Sequence, residues 1–282
     1  MEKIQNKIEL SIKDFLVSGE SFDLLYDSKR EMLLTSPQPA VQELAKYYKS
    51  ENYISHTDEH KGLMASLYQM VKKYSLSKKL RLITSLNKGT GSLLDIGAGT
   101  GEFLKLAKEY DWKVQGIEPN ERARSFAVEK DVRLKESIDE LSGNSFDVVT
   151  LWHVLEHLPD LENTISKIEA FVKPGGVLII AVPNFRSYDA GHYKNYWAAY
   201  DVPRHLWHFS RESMKVLFSS EMELIKTIPM IFDSFYVSLL SEKYKRGKNF
   251  SIKGIFVGLW SNIAALRSGE SSSHIYCFKK EN

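Results

Sequence analysis

The segment at 93–101, LLDIGAGTG, limits the possible folds more than any other part of this chain. An apolar run ends in Asp95, and three glycines then alternate over five positions, at Gly97, Gly99 and Gly101. Glycine lets a backbone turn tightly and approach a ligand without a Cβ in the way. The following GEFLKLAKEY has the apolar spacing of a helix packed on a sheet. The segment therefore predicts a buried parallel strand that ends beside a nucleotide-like ligand.

Three later blocks continue this pattern of apolar strands that end in polar residues. VQGIE at 114–118 ends in Glu118, nineteen residues after Gly99. A carboxylate at the carboxyl end of a second strand can accept hydrogen bonds from both hydroxyls of a ribose, so Glu118 is the candidate ribose ligand. The other two blocks are SFDVVTLWHVLEH at 145–157 and FVKPGGVLIIAVPN at 171–184.

In order and spacing, the four blocks resemble the class I methyltransferases that use S-adenosylmethionine, over roughly residues 90–230. The chain is similar to the type 23 methyltransferase domain and to the ubiquinone-pathway O-methyltransferases. The resemblance implies that the glycine loop lies beneath the methionine and ribose of the cofactor and that 136–138 lies at its adenine edge. The implied cofactor-binding residues are Asp95, Gly97, Ala98, Gly99, Gly101, Glu118, Pro119, Ser137, Ile138, Trp152 and His153.

The glycine loop has a second interpretation, as the GxGxxG turn of a dinucleotide dehydrogenase. In this chain the third glycine comes one residue early for that motif. A pyrophosphate also needs a longer nest of backbone amides than adenosylmethionine, which has no phosphate. We therefore favour the methyltransferase and keep the NAD-dependent oxidoreductase as an alternative.

From Gly91 onwards, strand and helix patterns alternate, which predicts a doubly wound α/β fold with a parallel sheet and right-handed crossovers. We expect a Rossmann-like sheet of seven strands, mostly parallel, with an antiparallel last strand. The expected strands lie at 92–97, 113–118, 131–134, 146–152, 176–182, 222–230 and 274–280. We place this methyltransferase domain at 89–282, with insertions at 185–210 and 235–268.

Residues 1–88 predict a small N-terminal α/β attachment on the substrate side. FDLLYDSKREMLLTSPQP resembles the head region of bacterial relatives in which a CxxC zinc knuckle precedes a TxPxP segment, but Asp27 and Arg30 stand at the cysteine positions. We therefore expect no structural zinc there. Tyr53 and His56 are candidates for a ligand contact or for ordinary packing. Residues 62–86 predict one or two amphipathic helices whose apolar face contains Leu63, Leu67, Met70, Val71 and Tyr74.

Histidines in two segments are the candidate catalytic residues. In WHVLEHLPD, His153, Glu156 and His157 could share one helical face, where they would either hold a divalent cation or begin the next helix. We expect no bound metal, and we take His153 and His157 as candidates for acid-base work. VPRHLWHFS adds His205, and the neighbouring Arg204 suits either a substrate anion or a structural salt bridge.

The charge and cysteine content restrict the partners. The chain has 38 basic and 36 acidic residues, a net charge of +2, so we expect neither nucleic acid nor a membrane as partner. The basic run KYKRGKNFSIK, which starts at Lys243, predicts a solvated loop. The single Cys277 lies in an apolar strand pattern and predicts a buried side chain in a reducing compartment. Without an evident signal sequence or membrane span, we expect a cytoplasmic protein.

The function expected from these features is transfer of a methyl group from S-adenosylmethionine to a small-molecule acceptor, with oxygen somewhat favoured as the accepting atom. WHVLEH stands where enzymes that methylate base amines carry an Asn/Asp-Pro-Pro-aromatic motif, which argues against a base amine as the acceptor. The other hypotheses are a non-catalytic adenosylmethionine-binding module and an RNA methyltransferase.

Overall fold

The computed structural model describes residues 8–48, 63–141, 143–247 and 250–282, with side chains from 70 onwards in the second range. The strands are β1 (Ile8–Lys13), β2 (Ser21–Asp27), β3 (Met32–Ser36), β4 (Ser92–Ile96), β5 (Lys113–Ile117), β6 (Phe146–Trp152), β7 (Val172–Pro183), β8 (Trp207–His208), β9 (Met222–Pro229) and β10 (Ser273–Lys280). The helices are α1 (Val41–Leu44), α2 (Leu63–Asn87), α3 (Glu102–Glu109), α4 (Glu121–Val128), α5 (Leu161–Phe171), α6 (Tyr188–Tyr193), α7 (Arg211–Val216), α8 (Asp233–Arg246) and α9 (Ile252–Ser268).

The main sheet has six strands in the order β5-β4-β6-β7-β10-β9. Strands β4 to β7 pair in parallel, while β10 pairs antiparallel with both β7 and β9. The central strands are buried on both faces, as a parallel sheet between two helical layers requires. The predicted α/β class, the parallel order and the antiparallel last strand are confirmed.

The prediction of seven strands in this sheet is wrong. Residues 131–134, expected as the third strand, form no strand, and the chain meets the sheet edge only in an isolated bridge between Ile117 and Lys135. Asp131 has a φ of 59°, so the backbone is turning where the strand was expected to start. The apolar residues Val132 and Leu134 instead pack into the core beside β4 and β5.

A second sheet of four strands has the order β1-β2-β3-β8. Its last strand comes from the insertion predicted at 185–210, so the N-terminal part is completed by residues far along the chain. This insertion folds into α6, two short 3-10 turns and β8. Its aromatic residues form a common core with β1 to β3, and Tyr193, Trp197 and Tyr200 are fully buried.

The turn between β2 and β3 is held by Asp27 and Arg30. The buried Asp27 accepts hydrogen bonds from the backbone N–H groups of Lys29 and Arg30. It also pairs with the Arg30 guanidinium at 3.0 Å, and the same guanidinium contacts Glu162 on α5. An ion pair therefore closes the turn between Asp27 and Arg30.

Helix α2 packs on the main sheet through its second half. Leu80 and Ile83 are buried there, whereas Met70 and Tyr74 are 67% and 46% exposed. Met70 and Tyr74 of the predicted apolar face are therefore not buried, and the side chains of Leu63 and Leu67 lie outside the described residues. The Tyr74 ring meets the Phe232 ring edge-on at 6.1 Å, just before α8 begins. Tyr74 of α2 thus lies close to the start of the pair of helices, α8 and α9, that contains the 235–268 insertion.

Candidate active site

The glycine loop between β4 and α3 has the backbone geometry that its sequence predicts. Gly97 and Gly99 have φ values of 73° and 55°, a region that side chains with a Cβ rarely adopt. A Cβ at Gly97 would lie 2.3 Å from Val154, whereas a Cβ at Gly99 would meet no atom within 4 Å. The N–H groups of Gly97 and Ala98 donate to the carbonyl of Ile117 at 2.8 and 2.9 Å. Hydrogen bonds to Ile117 therefore hold the loop at the end of β5, and the side of Gly99 on which a Cβ would stand is open.

Glu118 connects this loop to the end of β5. One of its carboxylate oxygens accepts the Gly99 N–H at 2.9 Å, and the other accepts the Asn120 N–H at 2.9 Å. Each oxygen keeps a lone pair for a further donor. The predicted ribose ligand and the predicted open glycine therefore lie in direct contact, with the carboxylate oriented by two backbone amides.

Asp95 lies at the end of β4, almost completely buried at 3% exposure. Its Oδ1 accepts a hydrogen bond from the Thr150 hydroxyl at 2.6 Å. Burial raises the pKa of Asp95 to about 6, although the Thr150 hydrogen bond and the charge of Lys79 act in the opposite direction. At neutral pH the carboxylate is charged and can attract a cationic ligand group.

The residues expected at the adenine edge lie on the far side of Glu118. Ile138 packs against the core, and the Ser137 hydroxyl accepts the Asp139 N–H at 3.2 Å. Arg124 donates to the carbonyls of Glu118 and Pro119 at 2.9 and 2.7 Å and to the Glu136 carboxylate at 2.9 Å, which links residues 136–138 to the end of β5. The structure therefore brings the predicted ribose and adenine contacts to neighbouring positions along one strand end.

Trp152 and His153 follow the carboxyl end of β6, as expected. The Trp152 ring meets Phe103 edge-on at 5.9 Å, and the Lys79 ammonium lies 4.2 Å from the centre of the same ring. His153 has a φ of 57°, an unusual value for a residue with a side chain, and its N–H donates to the carbonyl of Ala181 at 2.9 Å. Such strained positions concentrate at functional sites.

Two carboxylates face the His153 ring. Its Nε2 lies 3.1 Å from Asp233 and its Nδ1 lies 3.5 Å from Glu156. Burial alone would lower the pKa of His153, but the interactions of the ring with the Asp233 and Glu156 carboxylates outweigh it and raise the pKa to about 10. At neutral pH the ring is an imidazolium with both nitrogens protonated. The geometry therefore argues against His153 as a general base, because a base needs a free lone pair.

The other two catalytic candidates meet at Glu156. His157, His205 and Glu156 offer three ligand atoms within 4.8 Å of one another, and the Glu156 side chain is 1% exposed. Burial and the charge of His205 lower the pKa of His157 to about 4, so that ring is neutral. This arrangement could hold a divalent cation, and the expectation of no metal stays a prediction.

Arg204 is a structural residue. It is 1% exposed, and its guanidinium pairs with Asp201 at 2.6 Å and with Asp14 at 3.1 Å. A third donor reaches the carbonyl of Tyr47 at 2.9 Å. Of the two roles that the sequence leaves open for Arg204, the structure shows the salt bridge.

Comparison with known proteins adds to this geometry. A family model described as a methyltransferase domain matches residues 52–220, more than half of the chain. The chain belongs to this methyltransferase family. Its members are class I enzymes with a Rossmann-like fold that use S-adenosylmethionine, which confirms the resemblance and the cofactor expected from the sequence.

Relatives with curated names act on different atoms. The methyltransferase is 31% identical over 160 residues to the ubiquinone biosynthesis O-methyltransferase of Vibrio atlanticus, covering 51% of this chain and 65% of that protein. It is 34% identical over 102 residues to phosphoethanolamine N-methyltransferase 2 of Caenorhabditis elegans, covering 32% of this chain and 23% of that protein. The chain thus spans less than two thirds of the length of both relatives.

A solved structure shows the same fold over most of the chain. The 1,6-didemethyltoxoflavin-N1-methyltransferase of Burkholderia thailandensis, solved with S-adenosylhomocysteine, has a TM-score of 0.52 and 14% identity. The superposition covers 93% of the methyltransferase and 96% of that chain.

The sequence gives no signal for two charged residues at the site. Lys79 comes from α2, where it resembles the other lysines of an amphipathic helix, and burial lowers its pKa. Asp233 begins α8 and reaches His153 from a distant insertion. Tyr53 and His56, named as possible ligand contacts, lie outside the described residues.

The 185–210 insertion also lines a cavity of about 570 Å³ against β1 to β3. The aromatic side chains of Tyr26, Phe185 and Tyr200 form part of its wall, together with Arg186 and Lys194. The lining contains none of the predicted cofactor residues.

Proposed function

We propose that this methyltransferase transfers a methyl group from S-adenosylmethionine to a small-molecule acceptor, with oxygen favoured as the accepting atom. The observation that carries the proposal is the contact between the open Gly99 and the oriented carboxylate of Glu118. Space above a glycine at a strand end, beside a carboxylate with free lone pairs, fits a ribose diol and no phosphate.

The other residues extend this site in both directions. Ser137 and Ile138 would contact the adenine, beside Pro119. Asp95 would attract the ammonium group of the cofactor's methionine, and Lys79 would attract the carboxylate of the methionine. Asp95 and Lys79 also attract each other, which shows that the two charges lie in the same region of the site. Gly97, Ala98 and Gly101 would shape the floor, and Trp152 would cover one side.

When bound, the cofactor supplies the electrophilic methyl group. The protein has to hold the acceptor in line, exclude water and remove a proton where the acceptor is a hydroxyl. The His153 imidazolium orients the carboxylate of Asp233, and the Asp233 side chain is 24% exposed. We infer that Asp233 takes the acceptor proton while His153 stays charged. His157 and His205 would position Glu156 behind this pair.

Similarity to a ubiquinone biosynthesis O-methyltransferase supports an oxygen acceptor. A neutral amine needs no base before attack, so an N-methyltransferase would not depend on Asp233. The phosphoethanolamine N-methyltransferase among the relatives keeps this alternative open.

The ribose assignment is tested by calorimetry with S-adenosylhomocysteine. Glu118→Ala removes two charged hydrogen bonds, each worth about 1.5 kcal/mol or more, so we expect binding weaker by about 100-fold. Glu121→Ala, at an exposed position on α4, is the matched control and should bind as the wild type does. Unchanged affinity in Glu118→Ala, or binding of NADH by the wild type, would contradict the proposal.

The acceptor chemistry is tested by transfer of a labelled methyl group to extract metabolites. Asp233→Asn should lower the initial rate by about 100-fold if it removes a general base, and should leave the affinity for adenosylhomocysteine unchanged. A rate that Asp233→Asn does not change would support an amine acceptor. Binding of the cofactor without any transfer would support a non-catalytic module.

A further inference from the structure

Helix α9 carries a large apolar face that no described residue covers. Its outward side chains repeat at three- and four-residue spacing, so they form one stripe along the helix. They are Ile252, Ile255, Phe256, Leu259, Trp260, Ile263 and Leu266, each between 38% and 87% exposed. Soluble monomers rarely expose contiguous apolar patches of this kind, and such patches mark surfaces that bind something.

The contact between α8 and α9 is formed by small residues. Gly254, Gly258 and Ser261 of α9 are buried, and the buried residues of α8 include Ser234 and Ser238. A Cβ at Gly258 would lie 2.8 Å from the Cα of Phe235, so the two backbones approach closely. In helices surrounded by lipid, small residues typically lie between the helices and large apolar residues point outward. Water favours the opposite arrangement, because it drives large apolar side chains into the interior.

The charges of this region favour an anionic partner. Residues 243–268 contain six basic residues and no acidic one, whereas the rest of the chain contains 32 basic and 36 acidic residues. Lys243 and Lys245 are exposed at the end of α8, and Lys253 is exposed at the start of α9. The nearest acid, Glu242, is fully buried and pairs with Arg246 at 3.0 Å. The near-neutral charge of the whole chain hides this asymmetry.

We propose that the hairpin of α8 and α9, residues 233–268, docks on an anionic lipid bilayer, with the outward face of α9 among the lipid headgroups. A basic end beside an apolar stripe is the pattern of interfacial helices. A second copy of the chain is less favourable, because it would bring two acid-free basic surfaces together. Among the described residues, no helix qualifies as a bilayer-spanning segment. The proposal does not depend on the proposed function.

Flotation with vesicles tests this surface. The full-length protein should float with vesicles of phosphatidylcholine and phosphatidylglycerol, stay behind with phosphatidylcholine alone, and be released by high salt. Phe256→Ser combined with Trp260→Ser should weaken binding by about 100-fold, since it removes two large apolar anchors. Tyr110→Ser combined with Val216→Ser is the matched control, because these side chains are similarly exposed elsewhere. The control should float like the wild type.

Further measurements separate the bilayer from other occupants of the face. Trp260 fluorescence should shift to the blue on vesicle addition, and the shift should disappear in Trp260→Phe. Lys243→Glu combined with Lys245→Glu should weaken binding to the anionic vesicles. Calorimetry with S-adenosylhomocysteine should give wild-type affinity in all variants, which shows that they are folded. Failure of the wild type to float, or a dimer in ultracentrifugation that Phe256→Ser with Trp260→Ser abolishes, would overturn the proposal.

Discussion

Asp95 shows how burial sets the working state of a single side chain. Its carboxylate is enclosed at the end of β4 with one strong hydrogen bond from Thr150. Burial disfavours the charged form and raises the pKa of Asp95 to about 6, close to the physiological range. A charge in this position is useful only if a ligand cation arrives to compensate for the lost water. The ammonium group of the cofactor's methionine would do so.

The affinity for S-adenosylhomocysteine should therefore depend on pH through Asp95. Below a pH of about 6 the carboxylate must lose a proton before it attracts the ammonium group, so affinity should fall by about tenfold per pH unit. Above this pH it should stay constant until other groups titrate. Calorimetry in Asp95→Asn should show weaker binding without the inflection.

Asp147 supplies the control for this pH dependence. Burial would raise the pKa of Asp147, but hydrogen bonds from Ser92 and Lys173 lower it to about 2, so it stays charged throughout. Asp147→Asn should keep the inflection of the wild type. An inflection that persists in Asp95→Asn would assign it to another group.

The residues of the site differ in how far the sequence could predict them. Gly99 and Glu118 can be predicted from the sequence next to them, because a glycine or an acid directly after a buried strand is typical of a ligand-binding site. The charge of His153 could not be predicted, since its partner Asp233 arrives from a later insertion and raises the pKa only through contact in space. Lys79 has no local signal for the same reason.

At the scale of elements, alternation of strands and helices predicts the main sheet well, but edge elements depend on tertiary contacts. Residues 131–134 have the apolar pattern of a strand and yet form none, because the backbone turns at Asp131 and only Lys135 pairs with the edge strand β5. Strand β8 has two residues and is recognisable only by its pairing with β3. The apolar stripe of α9 is clear in the sequence, while its exposure is a property of the fold.

The close contact of α8 and α9 gives a prediction at this scale. Gly258→Ala places a Cβ 2.8 Å from the Cα of Phe235 and 2.9 Å from the carbonyl oxygen of Ser234, so the helices must move apart. We expect a loss of about 1–2 kcal/mol in the free energy of unfolding, measured in urea.

Gly191→Ala is the matched control for Gly258→Ala, because Gly191 also lies in a helix and its Cβ would meet no atom within 4 Å. Alanine is the better helix former, so this variant should gain about 0.5–1 kcal/mol. Equal effects of the two substitutions would show that the helices of the hairpin do not pack as closely as described.

At the scale of the whole molecule, the two sheets are joined by the segment at 185–210 and by a buried ion network centred on Arg204. The guanidinium connects Asp201 in this segment with Asp14 and the carbonyl of Tyr47 in the N-terminal part. Asp14 is 2% exposed and also accepts backbone N–H groups in its own turn. The network therefore holds together regions that the sequence predicts as separate domains.

Arg204→Met should destabilise the whole chain by about 3 kcal/mol in urea unfolding, since it leaves the buried carboxylate of Asp14 and the partly buried carboxylate of Asp201 without their cation. Arg186→Met is the control: Arg186 pairs with Glu31 through side chains that are both 41% exposed, so its loss should cost at most about 1 kcal/mol. The affinity for S-adenosylhomocysteine should stay unchanged in both variants, because neither arginine touches the glycine loop or Glu118. If Arg204→Met kept its stability but lost methyl transfer, Arg204 would bind the acceptor, and the two sheets would have to be held together by apolar packing alone.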